Sequence, residues 1–455
     1  MLEQGKLSVL ETLMLGLKGQ LHHPFARNSA LLATGSYISA GLNFLTSIAV
    51  ARVLGPADYG ILALAVAYPT LVWSFIGTKS VSVTIRYITG FRARNQHQEL
   101  LSVIKIGYGL DFLVSVICLL LVALTAAFVN FQFYHITNLD WLMIAYAFSF
   151  PFYSAVGTSR SILTSWQSFN LLAFFHVLES ATKLVLVIGA LCLGFGVIGV
   201  VIANVLLHIG IGIVMTIGAT RILLKEGLDS WWKGSLSQLG LFRRELASFL
   251  GWNYLFVTLN GFVEQIPLML LGAIRGTEEA GYYRLAMNIK TVGSTIEGSM
   301  GGVAYPTLSA RWAKGEREGI IRSLKRWIWR GGLPIGVLEA LTIPFWPIVV
   351  PLVFGLGYKP AVSGVQILMG ATAIRSLFFW LNSFYYASGN ISVWVKGFFI
   401  QTVLLISLGW WAIQYAGFFG MVLVYSLVGL AFTLAMAKLA VSQELSFLQD
   451  QVFKS

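Results

Sequence analysis

Three charged residues, Glu264, Lys290 and Glu297, lie inside long apolar runs between residues 251 and 305. A charge near the centre of a bilayer costs at least about 2.5 kcal/mol on insertion scales, so such residues usually face a protein interior or a water-filled cavity and have a partner. Lys290 and Glu297 are seven residues apart and therefore share one face of a helix. An ammonium group there suits binding of an anion, and a carboxylate suits exchange of a cation.

The composition indicates the class of protein in which these charged residues lie. Of the 455 residues, 57% are hydrophobic and 11% are charged, and the mean hydropathy is +0.77. These values exclude an ordinary soluble domain, and the long apolar runs predict an all-α integral membrane protein, because a helix satisfies its own backbone hydrogen bonds in lipid. Apolar windows of about 20 residues predict about twelve spans, at 29–51, 60–83, 106–129, 140–158, 173–194, 197–220, 250–274, 280–305, 331–354, 361–387, 392–414 and 417–438.

The positions of the basic residues predict the orientation. The formal net charge is +12, but the outer segments hold only Arg52, Arg275 and Lys359, and the inner segments hold nearly all other loop Lys and Arg residues. This asymmetry places both termini in the cytoplasm. It also accounts for the charge without nucleic acid, because no basic face is interleaved with exposed aromatic residues. The basic loop at 306–330 is also suited to acidic membrane lipids.

The two halves of the chain resemble each other. Gly55 corresponds to Gly276 and Gly60 to Gly281, both at an offset of 221 residues, and each pair lies in the short outer loop that opens the second helix of a six-helix half. Parallel repeats of six helices are typical of transporters with two lobes around a central cavity. The predicted division is 1–28 for an amphipathic segment, 29–220 for the N-lobe, 221–249 for a cytoplasmic loop, 250–440 for the C-lobe and 441–455 for a cytoplasmic tail.

Several stretches resemble a known family. They are ARVLGPADYGILALA at 51–65, YYRLAMNIKTVGSTIEGSMGGVAYPTLSARWAKGERE at 282–318, LVFGLGYKPAVSGVQILMG at 352–370 and NSFYYASGN at 382–390. Together they resemble the bacterial oligosaccharide flippases that move O-antigen or exopolysaccharide repeat units. Those flippases belong to the multidrug/oligosaccharidyl-lipid/polysaccharide exporter superfamily.

This resemblance implies a V-shaped transporter of the bacterial inner membrane. Its substrate would be an undecaprenyl-diphosphate-linked oligosaccharide, moved from the cytoplasmic to the periplasmic leaflet by alternating access. A polysaccharide polymerase and a chain-length regulator would be partners. Cationic cavity residues would meet the diphosphate, which makes Lys290, Arg375, Arg284 and Lys79 candidates for substrate binding, together with Asn43.

Acidic residues inside spans are the candidates for ion coupling. Glu264 is the first, because the repeat offset places it opposite Asn43, with Glu297 and Asp111 as the alternatives. The coupling ion is left open between H+ and Na+, and no other cofactor is predicted. The alternative to ion coupling is a structural role for Glu264, paired with Arg375 or Lys290. No metal site is predicted. Glu179 and Lys183, four residues apart, are expected to neutralise each other as an ion pair; a structural role is also open for Glu339.

Two other functions compete with the flippase. A multidrug antiporter of the same superfamily would also place an acid in a cavity, but the cationic candidates favour an anionic substrate. A membrane polysaccharide polymerase or ligase would need an outer platform for sugar transfer, and the predicted outer loops have only about ten residues. No nucleotide-binding GxxxxGK[ST] loop is present, so the protein is expected to be a transporter and not an enzyme.

Overall fold

The computed structural model describes residues 24–77, 81–228, 232, 234 and 239–452. Within these ranges every regular element is a helix, which confirms the all-α class. The N-terminal segment up to residue 23 and the candidate Lys79 lie outside the described residues, and Lys79 therefore stays a prediction.

The described part of the N-terminal half forms eight helices. The chain turns within α1, and a π-helical turn, Asn130–Tyr134, extends α3. The helices are α1 (Pro24–Ile76), α2 (Val81–Ala93), α3 (His97–Val129), α4 (Leu139–Ala147), α5 (Phe150–Tyr153), α6 (Ala155–Ser165), α7 (Phe169–Cys192) and α8 (Gly196–Lys225).

Residues 239–452 of the C-terminal half also form eight helices. Short 3-10 and π turns divide its middle part, and the 3-10 turn Ile343–Phe345 contains Pro344, where proline removes a helical hydrogen bond. The helices are α9 (Leu239–Arg275), α10 (Thr277–Ala313), α11 (Arg317–Trp327), α12 (Leu333–Thr342), α13 (Trp346–Phe354), α14 (Val362–Arg375), α15 (Leu381–Ala387) and α16 (Ile391–Val452).

Hydropathy alone underestimates the number of spans. Nine helical stretches in the described part of the chain are long and apolar enough to cross a membrane. Two of them change direction, at Gly55 and at Gly417, and each therefore contains two spans. The helix α10, 37 residues long, is long enough to cross as well but too polar to be counted. Together these give the predicted twelve, and α10 is the helix that carries Lys290 and Glu297.

The surface of the helices is apolar in the way that lipid contact requires. Leu124 and Leu356 are 77% and 80% exposed, and many other large apolar side chains are exposed with them.

The largest buried cluster extends through both halves, from Val50 on α1 to Met421 on α16. The two halves therefore share one apolar core, although each also presents apolar side chains outward to the hydrocarbon.

The predicted repeat is visible in the backbone. Gly55 has φ 74° and ψ 176°, and Gly276 has φ 91° and ψ −177°. Residues other than glycine rarely adopt such positive φ values. Both glycines therefore make the same turn between the first and second helices of their halves, at positions 221 residues apart.

The second glycine pair joins the two halves. A Cβ atom on Gly60 would lie 1.7 Å from the carbonyl oxygen of Thr277, and a Cβ atom on Gly281 would lie 2.0 Å from that of Pro56. Pro56 and Thr277 are themselves equivalent by the repeat offset, so the contact is reciprocal about a pseudo-twofold axis. Only glycine allows the backbones of α1 and α10 to approach this closely.

Hydrogen bonds also join the two halves at this end of the molecule. Arg52 donates to the carbonyl oxygens of Leu352 and Val353 at 3.0 and 3.2 Å. The Tyr358 hydroxyl donates to the carbonyl oxygen of Ala51 at 3.2 Å. These bonds hold the N-terminal half against the C-terminal half at the predicted outer end. In this structure the halves are closed together there.

We predict that Gly281→Val opens the predicted outer end. The added side chain would meet the Pro56 carbonyl oxygen, and overpacking of this kind costs about 1–3 kcal/mol. Spin labels at the equivalent positions Ala57 and Glu278, in a cysteine-free background, should report a longer distance by double electron–electron resonance. Gly109→Val is the matched control, because a Cβ atom at Gly109 meets nothing within 4 Å. Equal distances in all three proteins would contradict the prediction.

Candidate functional site

A cavity of about 450 Å³, here called the central cavity, lies between the two halves. Its walls come from α1, α4, α7 and α8 of the N-terminal half and from α10 of the C-terminal half. Two cations, Lys183 and Arg284, line it. No Asp or Glu is among the lining residues that the structure describes. The polar lining consists otherwise of amides and hydroxyls, including Asn43, Asn204 and Asn288.

The two cations come from opposite halves, Lys183 from α7 and Arg284 from α10. Their like charges act on each other. Glu179 also acts on Lys183 but does not line this cavity. Two cations in one cavity without a lining acid produce a positive potential, and low-dielectric walls focus it. The central cavity is therefore suited to an anion, and the guanidinium of Arg284 also has the geometry for bidentate contact with phosphate oxygens.

The predicted ion pair of Glu179 with Lys183 does not form in the structure. Glu179 instead accepts a hydrogen bond from the Tyr153 hydroxyl at 3.0 Å. The Tyr153 ring packs on His208, with ring centroids 4.4 Å apart. Because Tyr153 takes the place of Lys183 beside the acid, the lysine is left to line the central cavity. The helical spacing placed the two residues on one face but did not show this competing partner.

A smaller chamber of about 270 Å³ adjoins the central cavity and shares Asn43, Asn204 and Lys183 with it. The Asn43 amide donates to the carbonyl oxygen of Ser39 and to the Ser180 hydroxyl, both at 2.9 Å. These bonds fix the amide at the boundary between the two spaces. The chamber is lined by further polar side chains from α6, α7 and α8, namely Arg160, His176, Glu179 and His208.

The helix α10 has two polar faces. Arg284, Asn288, Thr291 and Thr295 follow helical spacing and line the central cavity. Ser294, Glu297 and Gly301 follow the same spacing on another face and line a second cavity, of about 590 Å³, within the C-terminal half. This second space is here called the C-half cavity. One helix therefore separates the two cavities, and of the cations predicted on it Arg284 lines the central cavity, whereas Lys290 lines neither.

Arg375 is the cation of the C-half cavity. It lies at the end of α14 and lines the cavity together with Glu297 and Asn260. The charges of Arg375 and Lys290 both act on Glu297. Lys290 itself donates to the Tyr425 hydroxyl at 3.0 Å and lies 5.3 Å from the centre of that ring. The C-half cavity thus combines an acid with a nearby cation, in contrast to the central cavity.

The structure places the two other acidic candidates in different surroundings. Glu264 is exposed and accepts a hydrogen bond from the Asn260 amide at 3.0 Å, and within the described residues it forms no ion pair with Lys290 or Arg375. Asp111 is buried and accepts a hydrogen bond from the Thr158 hydroxyl at 2.7 Å. The structure therefore does not bring the three predicted acids together.

The comparisons with known proteins assign the family. A model described as "Polysaccharide biosynthesis protein" matches residues 25–312, which is more than half of the chain. The chain belongs to the polysaccharide biosynthesis protein family. Inner membrane protein YghQ of Escherichia coli (strain K12) is 23% identical over 346 residues, covering 74% of this chain and 94% of the relative.

Solved structures show the fold. An inward-facing multidrug resistance MATE family transporter of the MOP superfamily superposes with a TM-score of 0.71 at 15% identity, covering 92% of this chain and 96% of that one. The lipid II flippase MurJ in an inward closed conformation superposes with a TM-score of 0.69 at 14% identity, covering 90% and 86%. These matches show a shared fold, and together with the family match they confirm the resemblance that the sequence predicts.

Of the residues that line the central cavity, only Asn43 and Arg284 were predicted as site residues. Among those missed is Lys183, which the sequence assigns to an ion pair. Another is Asn288, whose amide donates to the Tyr59 hydroxyl at 2.6 Å and to the Ser47 hydroxyl at 2.9 Å, across the contact between the halves. Its position one helical turn from Arg284 is a signal in the sequence, because both then share a face of α10.

Proposed function

We propose that this protein is a flippase for an undecaprenyl-diphosphate-linked oligosaccharide. It would move the lipid from the cytoplasmic to the periplasmic leaflet of the bacterial inner membrane by alternating access. The observation that carries this proposal is the pair Lys183 and Arg284 in a central cavity without a lining acid. Membership of a polysaccharide biosynthesis family and the fold shared with a lipid flippase support it.

In this proposal the two cations bind the diphosphate. Arg284 and Lys183 face one space from opposite halves, so a diphosphate between them would link the halves. The amides of Asn43, Asn204 and Asn288 would bind sugar hydroxyls in the central cavity and the adjoining chamber. Arg375, Lys290 and the undescribed Lys79 stay proposed as further anion contacts during the movement of the lipid.

A multidrug antiporter is the second candidate, because MATE transporters share the fold. A cavity for cationic drugs would gain affinity from an acid in its wall, whereas Glu179 lines the adjoining chamber and Glu297 lines the C-half cavity. A polymerase or ligase receives less support, because the chain turns at the predicted outer end are only a few residues long, as between α9 and α10. A polymerase and a chain-length regulator are proposed as partners instead.

The first prediction from the proposed function concerns a strain that lacks this protein. We expect one lipid-diphosphate-linked repeat unit to accumulate in the cytoplasmic leaflet, because it is still made but no longer moved. Leaflet-specific labelling of extracted lipid-linked sugars measures it, and a plasmid copy of the gene should reverse it. Intact surface polymer without any accumulated intermediate would contradict the proposed function.

The second prediction concerns the two cations. Arg284→Ala and Lys183→Ala should each lower flipping about ten- to a hundred-fold, since a hydrogen bond to a charged group contributes about 1.5–3 kcal/mol. The measurement is complementation of the deletion strain together with the amount of accumulated lipid, at equal amounts of protein in the membrane.

Matched controls remove the same charge elsewhere. Arg221→Ala and Lys396→Ala each remove a cation from an exposed position outside the central cavity, and they should complement fully. Arg284→Lys should keep part of the activity, because it retains the charge but not the bidentate geometry. Full complementation by both cavity variants would remove Arg284 and Lys183 from the substrate site.

The third prediction concerns ion coupling. Glu264 is proposed as the cation-exchanging residue, with Glu297 and Asp111 as alternatives and H+ or Na+ as the ion. Glu264→Gln should abolish acceleration by an ion gradient in proteoliposomes that contain the lipid-linked substrate, because the amide cannot exchange a proton. Glu316→Gln, at an exposed position between α10 and α11, is the control. Unchanged ion-driven turnover would exclude Glu264.

A further inference from the structure

The carboxyl group of Glu339 is buried without a hydrogen-bond partner. Glu339 lies on α12, is 5% exposed, and neither of its side-chain oxygens has a hydrogen-bond partner among the described residues. Its Oε1 atom lies 2.9 Å from the position that a Cβ atom on Gly293 would occupy. The carboxyl group therefore reaches the backbone of α10, and the missing side chain at Gly293 makes room for it.

A second acid, Glu297, lies on the face of α10 that meets Glu339. Glu297 lies four residues after Gly293, one turn further along the same face of α10. Its Oε1 atom is also buried without a hydrogen-bond partner in the described part of the chain. Like charges on Glu297 and Glu339 would act on each other. Two helices thus bring two incompletely satisfied carboxyl groups together.

The charged neighbours of this pair are few. Lys290 of α10 and Arg375 of α14 act on Glu297. Arg330, in the π-helical turn before α12, is exposed. The nearest described group beside Gly293, apart from Glu339, is the methyl group of Met369. The cations are therefore on the Glu297 side of the pair, and Glu339 lies against apolar groups.

We infer that Glu339 and Glu297 form a proton-binding pair in the C-terminal half. An ionised carboxylate that is buried without a donor is very costly, and the group takes up a proton instead. Two adjacent carboxylates do not both ionise readily, so one proton shared by the pair removes the repulsion. Glu297 lines the C-half cavity and exchanges the proton with water there, and Glu339 retains it behind.

The surroundings favour a proton over a metal cation. A hard cation takes several oxygen ligands. The described groups beside Gly293 and Glu339 include only a methionine methyl, the cations Arg375 and Lys290 act on Glu297, and no cluster of three His, Cys, Asp or Glu residues occurs in the described ranges. A proton needs only the two carboxyl groups.

Proton binding changes the charge beside the C-half cavity. When both acids are ionised, the negative charges of Glu297 and Glu339 balance the positive charges of Lys290 and Arg375. When the pair binds one proton, the four groups carry a net positive charge. An anion at Arg375 would then bind more tightly when the pair is protonated, and by linkage the anion would also strengthen proton binding. This coupling role rests on the proposed function, whereas proton binding by the pair does not.

Infrared difference spectroscopy of the full-length protein in nanodiscs tests the pair directly. The wild type should show the carbonyl stretching band of a buried protonated carboxylic acid at neutral pH, and the band should decrease as the pH rises. Glu339→Gln should remove the band, and Glu339→Asp should retain a shifted one. An unchanged band in Glu339→Gln would overturn the inference.

A second variant keeps the test decisive if Glu339→Gln does not fold. Glu297→Gln removes a negative charge beside Glu339 and leaves the two cations in place, so the midpoint of the band's titration should move to lower pH. A midpoint that is unchanged or higher would overturn the pair. The matched control is Glu318→Gln, at an exposed position on α11. No substrate is needed, so this result stands apart from the outcome of the deletion strain.

Discussion

The close approach of α1 and α10 at Gly60 and Gly281 is the contact on which the rest of the arrangement depends. Each glycine faces a backbone carbonyl of the other half, at a distance that no Cβ atom would allow. Membrane helices gain little from apolar contact with each other beyond what lipid offers, so close backbone packing by small residues is an effective way to join them. Because the contact is reciprocal, it sets both halves in register at the predicted outer end. It thereby brings α10 against the N-terminal half.

The position of α10 explains how polar residues remain inside a membrane protein. One of its faces closes the central cavity with Arg284 and Asn288, and another lines the C-half cavity with Glu297. A helix that faces two cavities need not expose its charges to hydrocarbon, where they would be costly. The same property makes its hydropathy too low to be counted as a span. The helix α10, which is too polar to be counted as a span, is therefore the wall between the two cavities.

The two cavities differ in charge, and this difference separates their roles. The central cavity holds Lys183 and Arg284 without a lining acid, because Tyr153 engages Glu179 and leaves the lysine unpaired with it. The C-half cavity places Arg375 beside Glu297, with Glu339 behind. A space with only cations attracts a permanent anion such as a diphosphate, whereas acids beside cations respond to proton uptake. We therefore propose that the lipid diphosphate and the proton shared by Glu297 and Glu339 bind on opposite sides of α10.

The sequence by itself determined the all-helical membrane class, the twelve spans and the equivalence of Gly55 with Gly276, because apolar run length and the need for positive φ are local properties. Helical spacing also placed Lys290 and Glu297 on one face of α10, although of the two only Glu297 lines the C-half cavity. The sequence did not show that Arg284 and Arg375 line different cavities, that Lys183 lacks its expected partner, or that Glu339 meets Gly293. These facts depend on side chains from helices that are distant in the chain. Only the packing of the two halves brought those helices together.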